Sequence, residues 1–283
     1  MRSEKLDLKH KNLLFDRLKK VNTRISEYSF ANLYLFRRSH QYEVCFIEDK
    51  IFIKGLTYDG LTYYMPTERF DTIDQKMIEM LLNDVNIIFP LDYDWLKNYE
   101  ENYIITSNLD DTDYIYTTEK MTTLKGRNLH GKRNLLKQFM EKYKASSKPL
   151  TDETKKDALY ILDLWQESIG EPISETDYLA NIDGINYAEE LIICGIIYYV
   201  DDRPVGFIMG EEISDDTFVV HFAKGIKEYK GIYQYIYNSF ANILPKRYIY
   251  LNFEQDLGKP SLRLAKSSYE PDIMLHKYKL TKR

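Results

Sequence analysis

The sequence predicts an α/β protein of two domains, each with helices packed against a sheet. The chain has 283 residues, more than the roughly 100 to 200 that one domain usually needs. Hydrophobic residues make up 44% of the chain and aromatic residues 14%, which is enough apolar surface for two cores. The same order of helical and strand patterns also occurs twice, and this repeat predicts a duplicated fold.

Residues 1–147 begin with helical patterns and continue with strand patterns. Leu14, Leu18 and Val21 recur at the helical period, whereas β-branched and aromatic residues alternate with polar ones after residue 42. The predicted elements are, in chain order, helices at 10–21 and 30–36, strands at 42–48, 51–54 and 61–65, a helix at 74–82, a strand at 85–89, a helix at 92–99, and strands at 103–106 and 114–117.

Residues 148–283 repeat this order. The turn Asp201-Asp-Arg-Pro204 joins two strands of a second meander. The predicted elements are helices at 151–168 and 174–190, strands at 191–200, 205–211 and 217–224, a helix at 229–244, a strand at 248–252, a helix at 261–266, and a strand at 273–278. The repeat is one of element order and not of residue identity.

A helix is predicted to join the two halves. Leu135, Phe139 and Tyr143 fall at helical spacing within residues 129–143, with basic residues on the opposite side. We expect this helix to pack between the domains. The polar stretch 145–149 ends in Pro and breaks both periodic patterns, so it sets the predicted boundary between domains 1–147 and 148–283.

Cysteine usage and hydropathy bear on the environment of the protein. Cys45 and Cys194 lie in apolar runs far apart in the sequence, so they form neither a disulfide framework nor a metal knuckle and are predicted to be buried thiols. The longest uncharged apolar stretch, 191–200, has half the roughly 20 residues of a membrane helix. The sequence thus predicts a reduced, cytoplasmic protein without a membrane span.

The charge distribution is uneven. The net charge is −5, but residues 120–148 hold nine Lys or Arg and one acid, and residues 259–283 hold seven basic residues and two acids. Two basic segments on an acidic chain indicate either a localised anion site or solvated basic helix faces.

Several catalytic signatures are absent from the sequence. There is no Walker phosphate loop, no Gly-x-Ser-x-Gly elbow and no His-Glu-x-x-His helix. The five His residues are far apart in the sequence, so no metal site is predicted.

The first candidate site is the strand at 217–224 with the turn that follows it. Lys224, Gly225 and Gly231 lie where a strand leads through a turn into a helix, an arrangement that directs backbone N–H groups at an anion. His221 lies midway along this strand. It is interpreted either as a general base or as a core residue with satisfied hydrogen bonds.

The second candidate site follows the next predicted strand. Asn252, Glu254 and Asp256 come at the strand's carboxyl end, where open α/β sheets place their ligands. Arg263 and Lys266 follow at i, i+3 on a short helix. The alternative interpretation is a loop in which Asp256 and Ser261 cap N–H groups.

The third candidate is the glycine-containing basic segment 124–134, in which Arg133 is the predicted substrate contact. Arginine forks suit phosphate oxygens, so the segment predicts a phosphate or RNA contact. The alternative is the start of the joining helix with a solvated basic face.

These segments, Leu-Lys-Gly-Arg-Asn-Leu-His-Gly-Lys-Arg-Asn at 124–134, Asn-Phe-Glu-Gln-Asp-Leu-Gly at 252–258 and Ser-Leu-Arg-Leu-Ala-Lys-Ser-Ser-Tyr-Glu-Pro at 261–271, resemble a bacterial family. It is the family grouped with the C-terminal domain of phosphatidylglycerol lysyltransferase, and the resemblance covers nearly the whole chain. It implies two tandem GNAT-like domains, each with a mixed, mostly antiparallel sheet flanked by helices.

The resemblance also implies a donor and a contact residue. The lipid-modifying relatives transfer an aminoacyl group from charged tRNA and carry a Leu-Arg-x-x-Lys run followed by an aromatic residue and Pro. The matching residues here are Leu262, Arg263, Lys266, Tyr269 and Pro271, which makes Lys266 the implied substrate or phosphate contact. Where those relatives have an acid on the central strand, this chain has His221.

GNAT acetyltransferases hold the coenzyme A pyrophosphate with a Gln/Arg-x-x-Gly-x-Gly/Ala run. The corresponding stretch here starts with the acid Glu228, keeps Gly231 and ends with the bulky Tyr233. These departures weaken coenzyme A binding through the usual contacts.

The sequence-based hypothesis is an acyl- or aminoacyltransferase without a metal. Its donor would carry phosphate, as aminoacyl-tRNA or acyl-coenzyme A does, and its acceptor would be an amine or hydroxyl. His221 or Asp256 would assist deprotonation, while Lys266 and Arg263 would neutralise the donor's anionic groups. The alternative is a non-catalytic binding or regulatory module that contacts RNA through residues 120–148.

Overall fold

Two seven-stranded mixed sheets organise the chain in the computed structural model, which describes residues 2–283. Each sheet belongs to one of two compact units. The first unit comprises residues up to Asp113 together with 255–263 and 274–283, and the second comprises 114–254 and 264–273. No helix among the described residues is long and apolar enough to span a membrane.

The first unit contains the elements of the predicted first half and the last strand of the chain. They are β1 (Arg2–Lys5), α1 (Lys11–Val21), α2 (Phe30–Phe36), β2 (Glu43–Ile47), β3 (Lys50–Leu56), β4 (Thr62–Pro66), α3 (Gln75–Asp84), β5 (Ile87–Leu91) and β6 (Tyr103–Ser107). A short 3₁₀ turn at Tyr93–Trp95 stands where a helix was predicted at 92–99. Asp92 caps this turn through the N–H of Asp94, and such local side-chain bonds favour turns over helices.

The second unit follows, and the last strand returns to the first. Its elements are β7 (Asp113–Thr117), α4 (Thr118–Thr123), α5 (His130–Lys142), β8 (Ala145–Pro149), α6 (Lys155–Ile169), α7 (Tyr178–Asn186), α8 (Ala188–Leu191), β9 (Cys194–Val200), β10 (Arg203–Ser214), β11 (Thr217–Gly225), α9 (Ile232–Ile243) and β12 (Tyr250–Asn252). The residues of α10 (Pro260–Ser267) and of β13 (Ile273–Leu275) are divided between the two units, and β14 (Tyr278–Lys282) belongs to the first.

The first sheet has the order β1-β2-β3-β4-β5-β14-β6. The parallel strands β4 and β5 pair only at Tyr63 with Ile87 and Tyr64 with Ile88. β14 fills the place between β5 and β6 and is antiparallel to both. The C-terminal strand therefore completes the sheet of the N-terminal unit.

The second sheet has the order β13-β7-β12-β11-β10-β9-β8. The parallel strands β11 and β12 pair from Thr217 with Tyr250 to Val219 with Asn252. Beyond that point β12 ends while β11 continues to Gly225, so the sheet opens between these two strands.

The core of the second unit packs α9 against β10 and β11. A Cβ at Gly206 would lie 2.6 Å from Cδ1 of Ile236, so glycine permits this close approach. Phe218 meets Phe240 edge to face, with ring centroids 5.4 Å apart. Burying each such large apolar side chain stabilises the unit by about 1.5 to 3 kcal/mol.

The division into units differs from the predicted one near residue 147. The stretch 145–149, predicted as a linker, is the edge strand β8, which pairs from Ala145 with Val200 to Pro149 with Ile196. An edge strand tolerates polar residues and Pro because one side of it needs no partner. The joining helix, α5, belongs to the second unit, where Phe139 stacks on Tyr235 of α9 with ring centroids 4.6 Å apart.

The apolar run at 191–200 also forms less strand than predicted. It begins with the end of α8, and β9 starts only at Cys194. The thiol of Cys45 is buried as predicted, but Cys194 is exposed, because it stands at the first position of its strand.

Candidate active site

A β-bulge in β11 marks the place where the second sheet opens. Met209 of β10 stands opposite Phe222, and Gly210 stands opposite Val220, so His221 has no partner residue on β10. Bulges of this kind redirect a side chain and are frequent beside active sites.

His221 bridges two carboxylates. Its Nδ1 lies 2.8 Å from Oε1 of Glu254, and its Nε2 lies 3.0 Å from Oε1 of Glu211. The imidazole is fully buried, and the side chains of Glu211 and Glu254 are 5% and 11% exposed. Burial alone lowers the pKa of His221, but the hydrogen bonds to both carboxylates outweigh it and raise the pKa to about 9.

The imidazole is therefore an imidazolium at neutral pH. Both nitrogens carry a proton and donate it to a carboxylate, so neither has a lone pair that could accept a proton. This arrangement differs from the predicted free general base, because sequence spacing does not reveal the two acids that face the ring. The carboxylates remain the groups able to accept a proton.

Asn252 and Lys266 hold the chain that carries Glu254. The Asn252 side-chain oxygen accepts the Glu254 N–H at 2.7 Å. The Lys266 ammonium donates to the carbonyls of Phe253 and Glu254, at 2.7 and 3.1 Å. Both predicted site residues thus lie at the sheet opening, where Lys266 satisfies backbone carbonyls beyond the end of β12.

Lys224, a predicted anion contact, is paired with a carboxylate. Its Nζ lies 2.7 and 2.8 Å from the two oxygens of Asp177 and 3.7 Å from the ring centroid of Trp165. Asn181 follows Asp177 by one turn of α7 and is fully buried. Among residues 2–283 its Oδ1 has no hydrogen-bond partner, so a buried acceptor is available on the helix that contacts Lys224.

The turn between β11 and α9 does not fit a pyrophosphate. Gly231 has φ +91°, and a Cβ there would lie 2.4 Å from the Leu135 carbonyl oxygen, so α5 covers the start of α9. The N–H groups of Lys230 and Ile232 already donate to carbonyls within the turn. A Cβ added at Gly225 would lie 3.0 Å from Cγ2 of Ile232. Both glycines thus serve close packing between this turn and the neighbouring helices.

Asp256 and Arg263, both in the first unit, neutralise each other. Asp256 is fully buried, and its two oxygens accept from Arg263 Nε at 2.7 Å and Nη2 at 2.9 Å. Asp256 also caps the N–H of Gly258, and Arg263 reaches Asp110 at 2.5 Å. The capped-loop interpretation describes this geometry, and the predicted base and phosphate roles would require these ion pairs to open.

Arg133 serves the local backbone. Its Nη1 donates to the carbonyls of Leu124 and Gly126, the latter at 2.8 Å. Both carbonyls lie just beyond α4. Lys132 in the same basic segment lies over the ring of Tyr269, 4.2 Å from its centroid. Two basic side chains of the segment that was predicted to contact phosphate or RNA therefore interact with residues of the second unit.

The first unit holds a buried lysine that the sequence did not predict. Lys277 is fully buried and donates to Glu27 at 2.7 Å and Gln255 at 2.8 Å, and it forms an ion pair with Asp113 at 2.7 Å. Burial lowers the pKa of Lys277, but the two carboxylates outweigh it and raise the pKa. Of the residues that contact Lys277, Gln255 lies within the 252–258 segment that the sequence singled out. Because Gln255 and Lys277 are 22 residues apart, their contact has no local sequence pattern.

Each unit pairs a three-strand meander with a parallel strand reached through a helix, and its sheet opens between the parallel strands. This is the architecture of a tandem GNAT-like protein. The crystal structure of FemX has the same fold, with a TM-score of 0.61 at 7% identity over 100% of this chain and 98% of FemX.

The chain belongs to the family described as phosphatidylglycerol lysyltransferase, C-terminal, whose profile matches residues 18–281. A conserved protein of unknown function from Bacteroides thetaiotaomicron is 27% identical, with a TM-score of 0.86 and full coverage of both chains. The C-terminal domain of a putative lysylphosphatidylglycerol synthetase from Agrobacterium fabrum is 12% identical, with a TM-score of 0.65 over 98% of this chain and 92% of that domain. The resemblance seen in the sequence is confirmed.

Proposed function

We propose that the protein transfers an aminoacyl group from aminoacyl-tRNA to an amine or hydroxyl acceptor at the opening between β11 and β12. The observation that carries this proposal is the buried cluster of Glu211, His221 and Glu254 at the bulge. Buried ionisable groups with strongly shifted pKa values concentrate at functional sites. Family membership supports a transferase, and the fold supports an opening between these two strands.

In the proposed reaction a carboxylate of the cluster accepts the proton of the attacking amine or hydroxyl. The acceptor atom forms a bond to the acyl carbon, and the bond from that carbon to the donor's ribose oxygen breaks. The proton taken from the acceptor ends on the released ribose hydroxyl, so charge balances. His221 acts as a positioning residue because its two N–H groups hold Glu211 and Glu254 in place.

An ester donor is favoured over a coenzyme A thioester by the turn that precedes α9. The Leu135 carbonyl lies against Gly231, and the acidic Glu228 stands where the usual motif has Gln or Arg. Both features oppose a pyrophosphate at that turn. Asn181 supports an acceptor or aminoacyl group with N–H donors, since its buried oxygen has no partner among residues 2–283.

The test measures loss of the aminoacyl group from a panel of radiolabelled aminoacyl-tRNAs, with phosphatidylglycerol vesicles and free amines as acceptors. We expect one donor and acceptor pair to react, and Glu254→Gln to slow the reaction about 100-fold or more. Glu212→Gln is the matched control, since Glu212 lies beside Glu211 on β10 but pairs with Arg247. Equal rates for Glu254→Gln and wild type, or no reacting pair, would contradict the proposal.

The second candidate is a non-catalytic binding module. It is favoured by the complete pairing of His221 and by the ion pair between Asp256 and Arg263. This candidate predicts RNA binding that weakens steeply between low and moderate salt, without turnover of any aminoacyl-tRNA.

A further inference from the structure

A basic groove lies in the first unit, away from the residues discussed so far. Its volume is ≈ 650 Å³, and it is formed by α1, the start of β3 and the connection between β4 and α3. Four cationic side chains line it, namely Arg17 and Lys20 of α1, Lys50 of β3, and Arg69 after β4.

The cations outnumber the acids that line the groove. Asp16 and Glu68 are the two acidic lining residues, against four cations. Glu68 serves two of the cations at once, since it pairs with Lys50 and lies 3.9 Å from Arg17 Nη1. The Lys20 side chain is exposed and, within the described range 2–283, its ammonium has no partner. The groove therefore has positive charge that its own carboxylates do not satisfy.

Arg69 adds little to this excess of positive charge, because its guanidinium is paired with a carboxylate. Its guanidinium forks onto Asp71, with Nε and Nη2 at 3.1 and 2.7 Å from the two carboxylate oxygens. Asp71 does not line the groove. The anion site is thus centred on Arg17, Lys20 and Lys50, with Arg69 held at its edge.

The second unit has a groove at the corresponding place in the repeat. It lies between α6, the start of β10 and the turn before α9, and it also has a volume of ≈ 650 Å³. One cation, Arg203, and one acid, Glu228, line it, and the remaining walls are aromatic or apolar: Tyr160, Leu164, Pro204, Ile226 and Tyr229. The repeated fold therefore forms the groove, but the excess of cations is particular to the first unit.

We propose that the groove of the first unit is a binding site for a phosphate-bearing ligand. Arginine forks and lysine ammonium groups form strong charge-assisted hydrogen bonds to phosphate oxygens. Arg17 and Lys20 stand at i, i+3 on α1, so both reach the same ligand. Glu68 occupies the place of the anion in the free protein and competes with it. The phosphate belongs either to an RNA backbone or to a small molecule.

The test uses the full chain and two probes, tripolyphosphate and an RNA hairpin with a single-stranded 3′ end. Binding is measured by calorimetry and fluorescence anisotropy from about 50 to about 200 mM salt. We expect the double variant Arg17→Gln with Lys20→Gln to weaken binding of the better probe about 10-fold or more. The double variant Lys11→Gln with Lys19→Gln removes the same charge from α1 outside the groove, and we expect it to bind within about 2-fold of wild type.

Glu68→Gln provides a test with the opposite sign. It releases Lys50 and Arg17 from their shared carboxylate, so we expect binding about 3-fold tighter or better. Glu79→Gln removes an exposed acid of α3 and is the control with no change expected. A shift in both Glu variants alike would indicate only a net-charge effect and would overturn the proposal.

The two probes distinguish the source of the phosphate. Tighter binding of the hairpin supports an RNA backbone, and tighter binding of tripolyphosphate supports a small phosphate compound. The proposal would be overturned if the wild-type protein bound neither probe at low salt. It would also be overturned if the double variant of Arg17 and Lys20 bound as tightly as wild type and had an unchanged melting temperature. The binding assay contains no acyl donor, so a negative result in it is distinguishable from a failure of the proposed transferase activity.

Discussion

The carboxylate of Glu254 accepts a hydrogen bond from Nδ1 of His221 at 2.8 Å while the Glu254 backbone is held at φ 58°. A left-handed conformation costs a non-glycine residue about 1 kcal/mol. The Asn252 side chain bonds the N–H of Glu254, and Lys266 bonds its carbonyl. The backbone conformation is thus fixed from both sides, and it directs the carboxylate at the bulged strand.

Stability should fall with rising pH through His221. The pKa of this side chain is raised from 6.5 to about 9 in the folded protein, so folding favours its protonated form. The stabilisation is complete below pH 6.5 and is lost as the pH rises through about 9. The full effect is roughly 3 kcal/mol at most. Urea unfolding of wild type and His221→Gln between these pH values measures it, and parallel pH profiles for the two proteins would contradict the assignment.

Replacing Lys266 with Ala should lower both stability and transfer. The substitution leaves the carbonyls of Phe253 and Glu254 without this donor, at a cost of about 1 to 3 kcal/mol. Because these carbonyls precede and follow the Glu254 amide, the carboxylate loses its position and the rate of transfer falls. Lys259→Ala, on an exposed residue near the start of α10, is the comparison. Unchanged activity in Lys266→Ala would remove Lys266 from the site.

Replacing Lys277 with Met should destabilise the protein by about 3 to 5 kcal/mol. The change leaves the buried carboxylates of Glu27 and Asp113 without their cation. Lys282→Met, at the exposed end of β14 five residues further on, should change stability by no more than about 0.5 kcal/mol. Chemical denaturation measures both variants, and equal midpoints would show that the buried ammonium contributes little.

Gly231→Ala should cost more than Gly126→Ala although both glycines have positive φ. The angles are +91° and +109°, but a Cβ at Gly126 meets nothing within 4 Å, whereas one at Gly231 meets Leu135. Backbone strain of about 1 kcal/mol is common to both variants, and overpacking adds about 1 to 3 kcal/mol at Gly231 alone. Thermal unfolding of the two proteins compares them, and equal losses would mean that α5 moves aside easily.

The meander and helix order of both halves was predictable because each element depends on short-range periodicity. The three strands of each meander and the helices α1, α2, α3, α6 and α9 lie where the pattern placed them, to within a few residues. The roles of α5 and β8 were not predictable, since an edge strand of five mostly polar residues has the same local composition as a linker. The contact of α5 with α9 and the pairing of β8 with β9 place both elements in the second unit.

The candidate site was predictable by position more than by role. His221, Asn252, Glu254 and Lys266 do meet at the opening of the second sheet. What a side chain does there depends on partners distant in sequence, and neither Glu211 opposite His221 nor Asp110 opposite Arg263 carries a local signal. The family resemblance identified the fold correctly, but it does not assign these ion pairs.

The position of β14 bears on how the protein is made. Residues 278–282 follow the elements of the second unit in the sequence, yet they hydrogen-bond to both β5 and β6. The ribosome synthesises them only after β7 to β13, so the amino-terminal sheet has a gap between β5 and β6 until then. Nascent protein therefore cannot finish its first half before its second, unlike chains whose domains mature one after another.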